Sequence, residues 1–198
     1  MPSIDAKGLH LIVRVEAIVL VPYQDGKFHS IGCGHNGPAV RSMRKISVAD
    51  AFLILKQDCV VREPEMRRYM DRLGFTHEAW NQDEWNALVC FYHQRSNRDD
   101  GFEELLVAAA SGKSPKLEEL WLSYDDSQAG DHMSGLRRRR AHEYSVFANS
   151  AYEFTYVDEN GKAEHRKLNP VSLYEGNPKA GAKPLDYFVT DADLELVK

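Results

Sequence analysis

Between Glu16 and His35 the chain reads EAIVLVPYQDGKFHSIGCGH, and this stretch limits the fold more than any other. Pro22 closes an apolar run and stops whatever regular element precedes it. Tyr23 to His35 then alternates short polar and apolar residues around Asp25-Gly26, a hairpin signal with its turn at DGK. Gly32 and Gly34 flank Cys33, so the backbone there takes bends that a side chain would forbid. Upstream, Leu11, Ile12, Val13, Val15, Ile18, Val19, Leu20 and Val21 suit a buried strand as well as a helix.

The 198 residues suffice for one well-buried core, and no Pro/Gly/Ser-rich linker divides them cleanly. A hydrophobic share of 43%, a charged share of 28% and a mean hydropathy of -0.49 are ordinary for a soluble globular protein. The net charge of -5 opposes general nucleic-acid affinity, which needs a broad basic surface; a local basic site stays open. The apolar run from Leu9 to Val21 contains Arg14 and Glu16, and its length of about 13 residues falls short of the roughly 20 a bilayer span takes. It is also a poor secretion signal, because Asp5 lies where a basic region belongs and no small-residue cleavage site follows. Cys33, Cys59 and Cys90 form no CxxC pair and read as small apolar core residues.

Ser47 and Asp50 resemble a capping box, and Ala51, Phe52, Leu55 and Cys59 recur on one helical face. The spacing predicts a helix over 48–61 that ends before Pro64, then a short helix over 65–73 that stops at Gly74. A long helix follows from Thr76 through HEAWNQDEWNALVCFYHQR, with Trp80, Trp85, Leu88, Val89 and Tyr92 in the core. Further helices are expected over 102–110, 116–124 and 134–149. Residues 152–168 alternate around Asn160-Gly161 and predict a second hairpin. The rest, with Pro170, Pro178 and Pro184, reads as loop before a last apolar patch at 185–189. The tail 151–198 carries six basic against nine acidic residues, a balance of -3.

Glycosidic hydrolysis needs an acid for the leaving oxygen and a second carboxylate to activate water or stabilise the developing cation. Glu16 in apolar surroundings suits the protonated acid, and Asp25 in a polar hairpin suits the ionised partner. Ser30 can hold a water by hydrogen bond. A structural role is equally open from spacing alone, with Glu16 paired to Arg14 or another base.

Taken whole, the pattern resembles the phage-type lysozymes of glycoside hydrolase family 24. Their signature is a Glu, then Tyr-x-Asp, then Thr-Ile-Gly-x-Gly-His; this chain has Glu16, Tyr23-Gln24-Asp25 and Ser30-Ile31-Gly32-Cys33-Gly34-His35. ISVADAFLILKQD looks like the family's Ile-Thr-x-x-x-Ala helix ending in Leu-x-x-Asp. QDEWNALVCFYHQRSNRDDGFEELL looks like its Gln-x-x-x-Ala-Leu-Val-x-Phe helix and the Phe-x-x-x-x-Leu after it. Trp121 and GLRRRRAHEYSVF resemble its tryptophan and Gly-Leu-x-x-Arg-Arg-x-x-Glu helix. Ala17 stands where the family usually has glycine, Ser30 replaces its threonine, and HQRSN lacks its Asn-x-Gly.

The resemblance covers about residues 9–149 and implies an α+β lysozyme-like fold: a small helix-hairpin lobe, a larger helical lobe, and a sugar-binding cleft between. Residues 1–149 would form the lysozyme-like domain and 150–198 a C-terminal extension. It implies Glu16 as general acid, Asp25 and Ser30 positioning the attacking water, and Arg139 near the acid. An inverting reaction is implied, with carboxylates about 6.5 to 9.5 Å apart. His35 and Asp58 match an ion pair tying the hairpin to the next helix. A lone histidine of this kind is no metal ligand, and no metal or organic cofactor is expected. Within the basic run, Arg137 and Arg138 read as a solvated face, and Arg139 and Arg140 as the inward members.

The implied substrate is peptidoglycan, cut at the β-1,4 bond between N-acetylmuramic acid and N-acetylglucosamine. A related chitin or chitosan glycosidase, and a weakly active wall-binding or virion structural protein, are the alternatives. The implied setting is synthesis in a bacterial cytoplasm without a signal peptide, with access to the wall by holin release, virion delivery or secretion. The tail is open to three roles: targeting, a protein contact, or an extra layer on the lysozyme core.

Overall fold

The computed structural model describes residues 2–95, 101–125, 134–158 and 160–196. The chain forms two compact units, Asp5–Val61 with Leu168–Lys198, and Met1–Ile4 with Arg62–Lys167.

Helix α1 (Ala6–Glu16) opens the first unit. Asp5 is its N-cap, with the side chain accepting from the Gly8 N–H at 3.0 Å. Leu9, Leu11, Ile12 and Val13 are buried. The ambiguous apolar run is therefore both elements in succession: α1 ends at Glu16, and strand β1 (Ile18–Asp25) follows after one residue. That residue, Ala17, has φ 64° and ψ 175°, a backbone region almost confined to glycine.

Pro22 does not end the element before it, as the sequence led us to expect; it lies inside β1. Strand β2 (Phe28–Gly32) pairs antiparallel with β1, and the register slips between Val19↔Gly32 and Tyr23↔Ser30. The irregularity falls where proline has no N–H to offer the ladder. The turn at Gly26-Lys27 is the expected hairpin, and β3 (His35–Asn36) adds to its outer edge.

Ser47 and Asp50 form the expected reciprocal cap: Asp50 N–H donates to Ser47 Oγ at 3.1 Å, and Ser47 N–H to Asp50 Oδ2 at 2.9 Å. These hydrogen bonds hold the Asp50 carboxyl below its ordinary range. Helix α2 (Val48–Arg72) starts there and runs through Pro64, so the expected break and the separate short helix after it are one continuous element. Glu63, the residue before the proline, accepts from Ser3 Oγ (2.9 Å), the Ile4 N–H (2.5 Å) and Trp85 Nε1 (3.0 Å). Met66 and Met70 are buried on the turns that follow. Those contacts offset the roughly 3 kcal/mol that an interior proline costs.

The expected long helix from Thr76 is also corrected. A 3-10 turn at His77–Ala79 is followed by a break, and α3 (Gln82–Arg95) starts afresh. Asn81 and Glu84 cap it reciprocally, each backbone N–H meeting the other's side chain at 3.0 Å. Helices α4 (Phe102–Ala110), α5 (Pro115–Ser123) and α6 (Ser134–Asn149) complete the second unit as expected. Their core is aromatic: Phe91 meets Trp121 at 5.5 Å between ring centroids, and Trp121 meets Phe147 at 5.1 Å. Tyr152 then ties the chain back, its hydroxyl donating to Asp83 (2.8 Å) and accepting from Asn86 (2.8 Å). The hairpin of β4 (Phe154–Val157) and β5 (Ala163–Arg166) follows, with Asn160-Gly161 in its turn.

After residue 168 the sequence suggested loop, and the structure instead has β6 (Val171–Tyr174), β7 (Leu185–Tyr187) and α7 (Asp191–Glu195). Val171 and Leu173 are buried while Ser172 and Tyr174 are less so, a period-two pattern too short to stand out among prolines. β6 lies parallel to β1, giving a five-stranded sheet in the order β3-β2-β1-β6-β7. The first and last parts of the chain thus share one sheet.

Candidate active site

Glu16 is the last residue of α1, where the helix hands over to the sheet. Its half-buried carboxyl lies against Gly34, whose φ of 85° and missing side chain leave room for it. Ser30 is buried in β2 and faces Tyr23 directly across the strand pair. Asp25 ends β1 at the hairpin tip and is about half exposed.

Tyr23 joins these groups. Burial pushes its phenol up to about 12, the negative charges of Asp25 and Glu16 add to that, and the Ser30 hydroxyl opposes it. Both carboxylates therefore act on one neutral phenol. Cys33 behaves similarly: burial first, then Glu16, Asp58 and Cys59, push its thiol well above the ordinary range. It is buried and in no disulfide, as the wide spacing of the cysteines implied.

His35 Nδ1 lies 2.9 and 3.1 Å from the two Asp58 oxygens, which joins β3 to α2 as the sequence comparison implied. One residue escaped the sequence altogether. Lys179, in a 3-10 turn at Pro178–Ala180, places Nζ 3.5 Å from Asp25 Oδ1. No local pattern joins positions so far apart; only the sheet brings them together.

Arg139 belongs to the other unit. Its Nε donates to Glu143 Oε1 at 2.8 Å and its Nη2 to the Cys90 carbonyl at 3.1 Å. Arg140 is fully buried, bonded to Glu143, Gln94 and the Tyr124 carbonyl (3.1 Å), and lies 4.3 Å above the Phe91 ring. Burial pushes the Glu143 carboxyl up, but the two guanidiniums and their hydrogen bonds win and hold it below the ordinary glutamate range. Arg137, by contrast, is exposed and pairs with Asp125 at 3.2 Å.

Residues 13–143, well over half of the chain, match the family Phage lysozyme. The chain belongs to the phage lysozyme family. It is accordingly a peptidoglycan hydrolase that acts on the cell wall. Solved structures agree on the fold. The muramidase domain of SpmX from Asticaccaulis excentricus aligns with a TM-score of 0.61 at 22% identity, over 74% of this chain and 98% of its own. An endolysin from Escherichia coli O157:H7 phage FAHEc1 gives 0.55 at 21% identity, over 74% and 93%. A P22 lysozyme mutant gives 0.53 at 19% identity, over 74% and 99%. A search of curated proteins finds no match.

Within this phage lysozyme, the family match stops short of the β4–β5 hairpin and of residues 168–198. Ser96 and Asn97, where the Asn-x-Gly of the family is missing, lie outside the described residues. No helix among the described residues is long and apolar enough to cross a membrane.

Proposed function

We propose that this phage lysozyme cleaves the β-1,4 bond between N-acetylmuramic acid and N-acetylglucosamine, with inversion at the anomeric carbon. Glu16 is the general acid, and Asp25 and Ser30 hold the attacking water. The supporting observation is that the Glu16 carboxyl lies against Gly34 of the motif while Ser30 faces Tyr23 across the β1–β2 pair that ends at Asp25.

Glu16 closes α1, with its carboxyl against Gly34. From there its proton passes to the glycosidic oxygen as the bond to the anomeric carbon breaks. Asp25 accepts a proton from the water that attacks the opposite face. Ser30 keeps the hydroxyl of the family's threonine without the methyl that restricts its rotamer, and it is buried opposite Tyr23. Arg139 keeps Glu143 ionised and α6 in place, and we assign it a supporting part rather than a chemical one.

The test is release of reducing ends from purified peptidoglycan. The parent should release them, with the α-anomer appearing first by NMR, and Glu16→Gln should release none while keeping its fold. Release that persists in Glu16→Gln sinks the assignment of the acid. Binding without release by the parent favours a wall-binding structural role, and release from chitin but not peptidoglycan favours the related glycan.

A further inference from the structure

The segment beyond the family match is fastened at several points to the unit that carries Glu16 and Asp25. β6 pairs with β1 at Ile18↔Leu173 and Val19↔Tyr174, two and three residues after Glu16. The Asn169 amide exchanges hydrogen bonds with the Val189 backbone (3.1 and 3.3 Å), and its Oδ1 meets His10 Nε2 of α1 at 3.2 Å. Lys45 Nζ lies 3.6 Å from Glu175 Oε1. Between β6 and β7 the turn carrying Lys179 is held at both ends. Asn177 Oδ1 accepts from the Lys179 N–H at 2.8 Å, and Gly181, with φ 86°, closes the turn onto the Pro178 carbonyl at 3.2 Å.

We propose that Lys179 is a positioning residue for Asp25, which makes residues 168–198 a working part of the hydrolytic unit. The proposal rests on Asp25 as a water-holding carboxylate. An aspartate at a half-exposed hairpin tip has several rotamers open to it, and a cation anchored 3.5 Å away selects the one that faces it. The pair is too exposed to matter much for folding, with side-chain exposures of 63% and 52%, so its effect is to be read in turnover. Lysine supplies a point charge on a flexible stem, and arginine can reproduce that charge from the same backbone.

The experiment compares full-length parent, Lys179→Met and Lys179→Arg on solubilised glycan strands, with kcat and KM separated. In Lys179→Met, kcat should fall about two- to fivefold at low salt, the range an exposed ion pair can exert. KM and Tm should stay put, and Lys179→Arg should restore kcat. Because the Debye length shrinks to about 3 Å at 1 M salt, the ratio of parent to Lys179→Met should approach one there. An unchanged kcat at low salt overturns the proposal. So does a loss that neither arginine nor salt affects, since that marks damage to the fold. Glu16→Gln is run alongside: release that ignores Glu16 defeats the proposed function, whereas release that needs Glu16 and ignores Lys179 defeats only the positioning role.

Discussion

Gly34 leaves free the space beside the Glu16 carboxyl: a Cβ on Gly34 would stand 3.2 Å from Glu16 Oε2 and 3.4 Å from its Cδ. The spacing of the Gly-Cys-Gly motif therefore sets where the Glu16 carboxyl can go.

Gly34→Ala should displace that carboxyl and strain a backbone held at φ 85°. We expect hydrolysis to fall roughly ten- to a hundredfold, as for other small misplacements of a reacting group. Stability should drop by about 1 kcal/mol. Reducing-end assays and urea unfolding measure the two effects separately. Hydrolysis equal to the parent would show that Glu16 has room the structure does not give it.

Ala17 holds the backbone of the handover from α1 to β1 in a region costly for any residue with a Cβ. Ala17→Gly should relieve that cost, less the extra freedom glycine gains when unfolded, for a net gain of about 1 kcal/mol. The urea midpoint should rise with an unchanged slope. A lower midpoint would mean that the alanine methyl contributes more by packing than it costs in strain.

Glu143 makes stability depend on pH. Its folded-state pKa lies below the ordinary 4.5, so the unfolded chain binds its proton more readily. The stabilisation is complete above about pH 5 and drains away as pH falls through 4.5 toward the depressed value. Tm of the parent should drop across that window, and Glu143→Gln should flatten this part of the curve. The variant should also lose about 3 to 5 kcal/mol at pH 7, because two buried guanidiniums lose their partner. A parent and variant with parallel Tm curves would remove Glu143 as the acid-sensitive group.

Features carried by short sequence separations were legible. The Asp25-Gly26 and Asn160-Gly161 turns and the Ser47/Asp50 cap each join residues a few positions apart, and all occur as expected. The division of the arginine run was also legible, since one face of α6 must be inward: Arg139 and Arg140 are buried and Arg137 is not. What failed were rules that treat one residue as decisive. Pro22 and Pro64 read as terminators, yet a strand irregularity absorbs the first and the buried flanks of α2 hold the helix past the second. The Asn81–Glu84 cap has the same chemistry as the Ser47/Asp50 one and could have been found. β6 and Lys179 could not, because their partners lie about 150 residues away, and β7 in turn pairs with β6. Around Glu16 the motif pointed to the residue types and to the bends at Gly32 and Gly34, whereas the conformation of Ala17 came only from the backbone.

The parallel pairing of β6 with β1 also bears on how the enzyme is made. Until Leu173 and Tyr174 have left the ribosome, the β1 edge at Ile18 and Val19 has no partner. At typical elongation rates of about 5 to 20 residues per second, the roughly 150 residues between the two strands delay that pairing by about 8 to 30 seconds. The unit that carries Glu16 therefore gains its β1–β6 pairing only after the whole of residues 62–167 has been made.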